Sequence, residues 1–342
     1  MSDILRFGIV GCGGMVNNSH VHGFAAIADK CRVTAVCDIV EERAKKAAEV
    51  TGAEYWTTDY TAMAERVDAV LIALPHHLHY PVGMFFLKAG KHVLMEKPLC
   101  NTEEECLSIT EEAEKRGLTL MCAYPVPYWD GIRKLKELVD SGEYGKIMQM
   151  SIWTEQYTDC ERFPWAKSAK TLGGGQLFSH GCHYIDLLLR FLGNPVSGVH
   201  YGSNLGTPWM EREGTSNVVM QFESGAMGYH FGTWGARGTS HGYDFQIFTD
   251  KGYLEYSHAG RYILWKQDLD PNAREPKTCR WELGDTGKQT ENEITHFIDC
   301  VREHKRPMTD GKSSIQSLRV IWRLYEAEEA GKIADLRGLG IE

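Results

Sequence analysis

The sequence predicts an α/β protein of two domains: a doubly wound parallel sheet first, then an α+β domain with a large, mainly antiparallel open sheet. Three observations carry this expectation. Short, fully apolar runs alternate with amphipathic helical stretches over the first third, the pattern of a parallel sheet covered on both faces. A Gly-x-Gly element stands at the exit of the first apolar run. Beyond Tyr124 the alternation gives way to period-two patterning, as in antiparallel strands.

The apolar runs Ile4–Val10, Arg32–Cys37, Ala69–Leu74, His92–Met95 and Thr119–Cys122 read as buried strands. Helical stretches lie between them at Glu41–Val50, Tyr80–Ala89 and Thr102–Arg116. Asn101-Thr102 followed by Glu104-Glu105 reads as an N-cap with acidic residues in the first turn. Pro125 and Pro127 cannot continue a helix, which sets the domain division at 1–123 and 124–342. A helix over Gly131–Ser141 then leads into a strand from Lys146 to Tyr157. The turn Gly173-Gly174-Gly175 opens a long helix to Phe191. Val218, Met220 and Phe222, the turn Glu223-Ser224-Gly225, then Met227, Tyr229 and Phe231 form a hairpin pattern. Strands follow at Phe245–Phe248, Tyr253–Tyr256 and Tyr262–Trp265, and helices at Ile294–Glu303 and Ser314–Ala330 close the chain.

A chain of 342 residues is comfortable as two domains. Its 46 acidic against 37 basic residues give a net charge of −9, which argues against nucleic acid or an anionic membrane surface as partner. No apolar run is long enough to span a bilayer, and the apolar start reads as a strand rather than a signal peptide. The ten cysteines are scattered without a Cys-x-x-Cys pair, so reduced thiols and a cytoplasmic location are expected.

Gly11-Cys12-Gly13-Gly14-Met15 follows the first strand. Gly11 allows a tight turn, and Gly13 lets backbone approach a pyrophosphate seated on a helix N-terminus. Asp38 ends the second strand, where a carboxylate accepts hydrogen bonds from ribose hydroxyls and repels a 2′-phosphate. The loop therefore points to a Rossmann domain that takes NAD, with NADP disfavoured.

Two further segments, Ala73-Leu74-Pro75-His76-His77-Leu78-His79 and Glu96-Lys97-Pro98, join the glycine triplet and His183-x-x-Asp186. In this order they resemble the Gfo/Idh/MocA family of oxidoreductases, glucose–fructose oxidoreductase and inositol dehydrogenase among them. The resemblance implies that Lys97 reaches the nicotinamide ribose and the substrate oxygen, that Glu96 lies beside that ribose, and that Leu74, Pro75, His76 and His79 line the cofactor with Gly14 and Met15. In the glycine loop Val16 stands where Gly or Ala is usual in the dinucleotide fingerprint. From the family pattern three features depart, the first being His76 where Asn is common. Ser179 replaces the usual first Asp of Asp-x-x-x-His-x-x-Asp, with His180 beside it, and Tyr124-Pro125-Val126-Pro127 replaces a segment that often carries Arg. The last two fall at the substrate position, so the family's polyol specificities do not transfer.

Oxidation of a carbinol needs an acceptor for the hydroxyl proton, and an imidazole suits that task. On a regular helix Ser179, His183 and Asp186 share one stripe. His183 is the expected base and Lys97 the positioning and electrostatic partner, with their roles exchangeable. Tyr124, Ser179, His180 and Asp186 are expected at the substrate. Aromatic rings stack on pyranose faces, and of Trp153, Tyr157, Trp165, Trp234 and Tyr243, Tyr157 and Trp165 are the expected ligand contacts. The histidine-rich segments lack metal-site spacing, so no metal is expected.

The expected activity is NAD-dependent hydride transfer at a secondary hydroxyl of a sugar, glycoside or cyclitol. Loss of the carboxylate at Ser179 leaves an alternative, an enzyme that retains NAD and cleaves or eliminates through transient ring oxidation. A non-catalytic sugar or dinucleotide sensor is the third reading. Tyr229, Phe231 and Trp234 leave apolar surface on the second sheet, so a homodimer or homotetramer through that sheet is expected.

Overall fold

The computed structural model describes residues 4–161, 163–239, 241–267, 277–284 and 287–341. In chain order the first part comprises β1 (Leu5–Val10), α1 (Val21–Ala26), β2 (Cys31–Cys37), α2 (Glu41–Thr51), β3 (Tyr55–Thr57), β4 (Ala69–Ile72), α3 (His79–Lys88), β5 (His92–Glu96), α4 (Glu103–Arg116) and β6 (Leu120–Ala123). Next come α5 (Asp130–Asp140), β7 (Ile147–Glu155), α6 (Ala169–Leu172), α7 (Cys182–Leu192), β8 (Pro195–Ser203), β9 (Thr215–Phe222), β10 (Met227–Thr233) and β11 (Tyr243–Thr249). The chain ends with β12 (Gly252–Ser257), β13 (Tyr262–Gln267), β14 (Lys277–Glu282), α8 (Thr290–Glu303), α9 (Gly311–Glu329) and β15 (Ala334–Asp335).

Packing divides the chain into Met1–Pro125 with Lys288–Ile315, and Val126–Gly287 with Gln316–Glu342. The segment 288–315, placed in the second domain by sequence, packs with the first. The reason is the apolar face of α8: Ile294, Phe297 and Ile298 are buried, and Phe297 meets Phe7 with ring centroids 5.7 Å apart. Gly23 on α1 permits this approach, because a Cβ there would collide with the Thr290 hydroxyl.

The first unit holds six parallel strands in the order β3-β2-β1-β4-β5-β6. The chain runs outward from β1 to one edge and from β4 to the other, so the strand order reverses between these two parallel neighbours and opens a crevice beyond their carboxyl ends. The short edge strand β3, half-exposed, escapes a reading based on apolar runs. The N-cap expected before α4 is Thr102, whose hydroxyl accepts the Glu105 N–H at 3.2 Å.

The second unit contains a nine-stranded sheet, β14-β13-β12-β11-β7-β10-β9-β8-β15, antiparallel except for the parallel pair β7–β10. The hairpin β9–β10 forms as expected, with Gly225 at φ 85° in its turn. On β10, Tyr229 and Phe231 lie on the less buried face, as expected. Gly228, His230 and Gly232 are turned to the packed side, while Met227, Tyr229 and Phe231 lie on the other. Close helix packing decides this: a Cβ at Gly228 would strike Phe222 and crowd Leu188 and Leu192, and one at Gly232 would strike the Gln176 amide. His230 stacks on Tyr184 at 5.3 Å and 14°. Trp234, expected on the open face, is buried instead in a cluster with Ala166, Leu172 and Met210.

Candidate functional site

In the first unit every sequence-predicted cofactor residue lies at or just beyond the carboxyl end of a parallel strand. Gly11 follows β1 at φ 92°, and a Cβ there would collide with the Ala73 carbonyl. Only glycine fits. Gly13 has no atom within 4 Å of where its Cβ would be, which leaves room for a ligand to approach the backbone there. The carboxylate of Asp38 is fixed by two backbone donors, Cys12 N–H at 2.8 Å and Val40 N–H at 2.9 Å. It thus organises the glycine loop while keeping acceptor lone pairs for hydroxyls. A glycine cradle with a buried carboxylate at the next strand end fits a dinucleotide.

The loop after β4 is tied to the segment after β5 through one ring. His79, fully buried, bridges the carbonyls of Pro98 at 2.7 Å and Leu74 at 2.9 Å. Burial pushes its pKa down, against the two carbonyls that favour its charged form. His76 is buried with its ring 5.6 Å from that of His79. Lys97 sits half-buried at the end of β5, its peptide to Pro98 is cis, and its N–H donates to Glu96 Oε2 at 3.2 Å. Met15 receives a contact from the Lys288 ammonium at 3.0 Å.

Three residues here were missed by sequence reasoning. His20, at the end of a π-helical turn over Val16–His20, meets Glu96 Oε1 at 2.6 Å through Nε2. Lys288 and Glu293 arrive from the segment before and within α8. The π turn accommodates Val16 where a helix-close-packing glycine is usual, and such turns recur at functional sites. A histidine downstream of a glycine loop was the available signal for His20; nothing local marks Glu293.

In the second unit a further π-helical turn, Leu177–Gly181, precedes α7 and carries Ser179 and His180. The regular-helix stripe assumed from sequence is therefore broken between Ser179 and His183. His180 lies within 5.9 Å of the rings of His183 and Tyr243, and Tyr243 donates to Gln156 at 2.6 Å. Ser179 and His183 are buried. Asp186 is fully buried, and its carboxylate is taken by Arg190 Nε at 2.7 Å and Nη2 at 3.2 Å. Burial raises its pKa and the Arg190 charge opposes the rise. Asp186 thus forms an ion pair within its own helix.

The glycine triplet has a structural cause in Glu213. This carboxylate accepts the Leu177 N–H at 3.1 Å and the Tyr325 hydroxyl at 2.6 Å, and Tyr325 accepts the N–H groups of Gly175 and Phe178 at 3.2 and 3.3 Å. A Cβ at Gly175 would overlap the Glu213 carboxylate. Glu213 and Tyr325 together satisfy the orphan donors that open the helix. Tyr124 is completely buried, Trp165 packs on the cluster around Trp234, and Tyr157 is 52% exposed with the Arg237 guanidinium over its ring. Neither Trp165 nor Tyr157 adjoins His180 among the ring contacts described. Among the described residues, no group of three or more metal-ligating side chains stands together, and no helix is long and apolar enough to cross a membrane.

Comparison with known proteins agrees with this geometry. Residues 5–124 match the model of an oxidoreductase family with an NAD-binding Rossmann fold, and residues 132–255 match the GFO/IDH/MocA C-terminal domain. The chain is 26% identical to D-xylose 1-dehydrogenase (NADP(+)) 2 of Haloferax volcanii, across 97% of this chain and 100% of that one. It is 25% identical to 2,7-anhydro-N-acetylneuraminate hydratase of Escherichia coli, over 66% of this chain; the match spans only 60% of that protein's length. A levoglucosan dehydrogenase structure in complex with NADH and levoglucosan superposes with a TM-score of 0.88, at 19% identity, covering 98% of this chain and all of that one.

Proposed function

The chain belongs to the Gfo/Idh/MocA oxidoreductase family, and from that premise we propose that it is an NAD-dependent dehydrogenase of secondary hydroxyls on sugars, glycosides or cyclitols. The observation that carries this reading is the clustering of the glycine loop, Asp38, the 74–79 loop and Glu96-Lys97 at one edge of the parallel sheet. The loop of β1 holds the pyrophosphate and Asp38 of β2 the adenosine ribose. Glu96 and Lys97, on the other side of β1, would then hold the nicotinamide half.

Bound there, the nicotinamide supplies the hydride-accepting carbon. The chain's own residues supply the rest. Lys97 hydrogen-bonds the substrate hydroxyl and stabilises its developing negative charge. His183, on the substrate helix of the second unit, takes the hydroxyl proton, and His180 and Ser179 contact the sugar. Dehydrogenases of xylose and levoglucosan among the similar proteins support a carbohydrate substrate.

A second reading has its own support in the hydratase relative and in Ser179. Here NAD stays bound, and transient oxidation acidifies a neighbouring C–H so that a substituent is eliminated. One assay separates the two. Purified protein is incubated with NAD and a panel of monosaccharides, glycosides and inositols, with NADH and released aglycone both recorded. Stoichiometric NADH is expected; aglycone or dehydrated product without NADH selects the second reading, and no turnover of any member overturns both.

Asp38 should set the cofactor preference. In Asp38→Ala the carboxylate that receives ribose hydroxyls and repels a 2′-phosphate is gone, so NAD affinity falls by about tenfold or more, and NADP affinity falls less or rises. Titration of both dinucleotides checks this, and an unchanged ratio would place ribose recognition elsewhere.

The open face of the second sheet supports self-association. Val199, Val219 and Tyr229 align in one lateral row, and Phe231 and Trp153 in the next. These rows make an apolar stripe across β8, β9, β10 and β7 of the kind that pairs subunits. Sedimentation should give a dimer or tetramer, with Tyr229→Glu shifting it toward monomer; a wild-type monomer at micromolar concentration ends the proposal.

A further inference from the structure

Glu293, on the first turn of α8, is fully buried, and neither of its carboxylate oxygens has a hydrogen-bond partner. Such a group is costly unless it serves a purpose. Its helix is clamped to the dinucleotide edge: the Thr290 hydroxyl donates to the Ser19 carbonyl at 3.2 Å, one residue before His20. His20 is also fully buried, its Nε2 held by Glu96 and its Nδ1 without a partner. Glu96 in turn accepts the Lys97 N–H. Two carboxyl groups, one imidazole and two sets of orphan atoms thus occupy the water-poor layer behind Lys97.

We propose that Glu293 is a positioning residue of the dinucleotide site, a buried acid that acts through Glu96 and His20 and exchanges a proton according to the charge of the bound nicotinamide. This deepens the functional reading above and rests on the nicotinamide lying toward Glu96 and Lys97.

Electrostatics divides the two carboxyls. Burial would raise Glu96, but the hydrogen bond and charge of His20, with Lys97 and Lys288, overcome it and hold Glu96 at about 2. Glu293 has no such bond. Burial pushes it well above the ordinary range, the charges of Glu96 and Glu291 push the same way, and Lys288 opposes them. His22, on the neighbouring α1, is exposed. Glu96 is therefore the permanent anion and Glu293 the group free to change. A cationic ring nearby stabilises the ionised form of Glu293, and a neutral reduced ring does not.

The sign follows by linkage. At low pH Glu293 keeps its proton with either cofactor. As pH rises it ionises first in the NAD⁺ complex, which strengthens NAD⁺ binding relative to NADH. The ratio Kd(NADH)/Kd(NAD⁺) is expected to rise about fivefold or more from the acid to the alkaline end of the range in which the protein stays folded, a typical coupling between sites. The ratio is measured by calorimetric titration of the whole protein with each dinucleotide. Calorimetry in two buffers of different ionisation enthalpy should show more protons taken up on binding NADH than NAD⁺, and needs no variant.

Glu293→Gln keeps the shape and removes the titrating carboxyl, so most of the rise in its ratio should be lost. Equal proton uptake for the two cofactors in wild type, or a wild-type slope that survives in Glu293→Gln, overturns the inference while leaving dinucleotide binding in place. Failure of both dinucleotides to bind overturns the functional reading with it.

Discussion

Replacing Lys97 or His183 with Ala is expected to lower turnover by about 10²–10⁴-fold, the range that general acid–base groups supply, with the fold intact. The structure explains why the Lys97 variant should leave the scaffold undisturbed. Lys97 projects from a strand end whose backbone is held independently, through the Glu96 carboxylate on its own N–H and through His79 on the Pro98 carbonyl. His183 lies on α7, whose register is set upstream by Glu213 and Tyr325. In each variant the unfolding midpoint should stay near wild type while kcat falls, and in His183→Ala the dinucleotide Kd should stay near wild type as well. The two defects should differ in their pH profiles. Loss of the base in His183→Ala flattens the acid limb of kcat/KM, whereas Lys97→Ala retains it. Near-normal turnover in both variants would remove them from the chemistry, and an acid limb lost only in Lys97→Ala would exchange their roles.

The parts of the molecule legible in the sequence are those set by local pattern. The buried strands β4 and β6 are continuous apolar runs, and β1, β2 and β5 are mostly apolar, the pattern of a parallel sheet covered on both faces. The glycine loop was equally plain, because a turn at φ 92° against a carbonyl admits one residue type.

What failed was set by partners far away in sequence. Trp234, grouped in sequence with Tyr229 and Phe231 on the open face, is instead buried against Ala166, Leu172 and Met210, whereas Tyr229 and Phe231 lie on the less buried side of β10 as expected. Spacing alone cannot see Arg190 beside Asp186 one turn on, or the π turn that separates Ser179 from His183. Glu213 meets a tyrosine more than a hundred positions away, and His20 a glutamate 76 positions away; a linear pattern carries no trace of either. The assignment of 288–315 to the second domain followed chain order, whereas the apolar stripe of α8 had its complement on α1 and β1.

Removing the cation beside Asp186 should produce the largest stability change outside the apolar core. Asp186 is fully buried, and its Arg190 partner is mostly so. Breaking a buried pair from one side leaves an uncompensated charge and costs about 3–5 kcal/mol, so Arg190→Met should lower the urea midpoint sharply at neutral pH. The pH dependence distinguishes this from lost packing. With Arg190 gone, burial acts on Asp186 unopposed and its carboxyl rises further above the ordinary range. A raised folded-state carboxyl binds its proton more tightly than the unfolded chain does. Stability is then fully present below the unfolded value and lost as pH rises through the folded one. Arg190→Met should therefore lie closer to wild type near pH 4 than at pH 7.5. The double variant Asp186→Asn/Arg190→Met, with no charge left to bury, should recover part of the loss at neutral pH. The same series tests the substrate role read from sequence. A carboxylate committed to Arg190 is not held toward a sugar, so Asp186→Asn should change stability and leave KM within about twofold, because only groups that touch the substrate remove uniform binding when deleted. A large rise in KM with unchanged stability would return Asp186 to the sugar and require Arg190 to yield it when substrate binds.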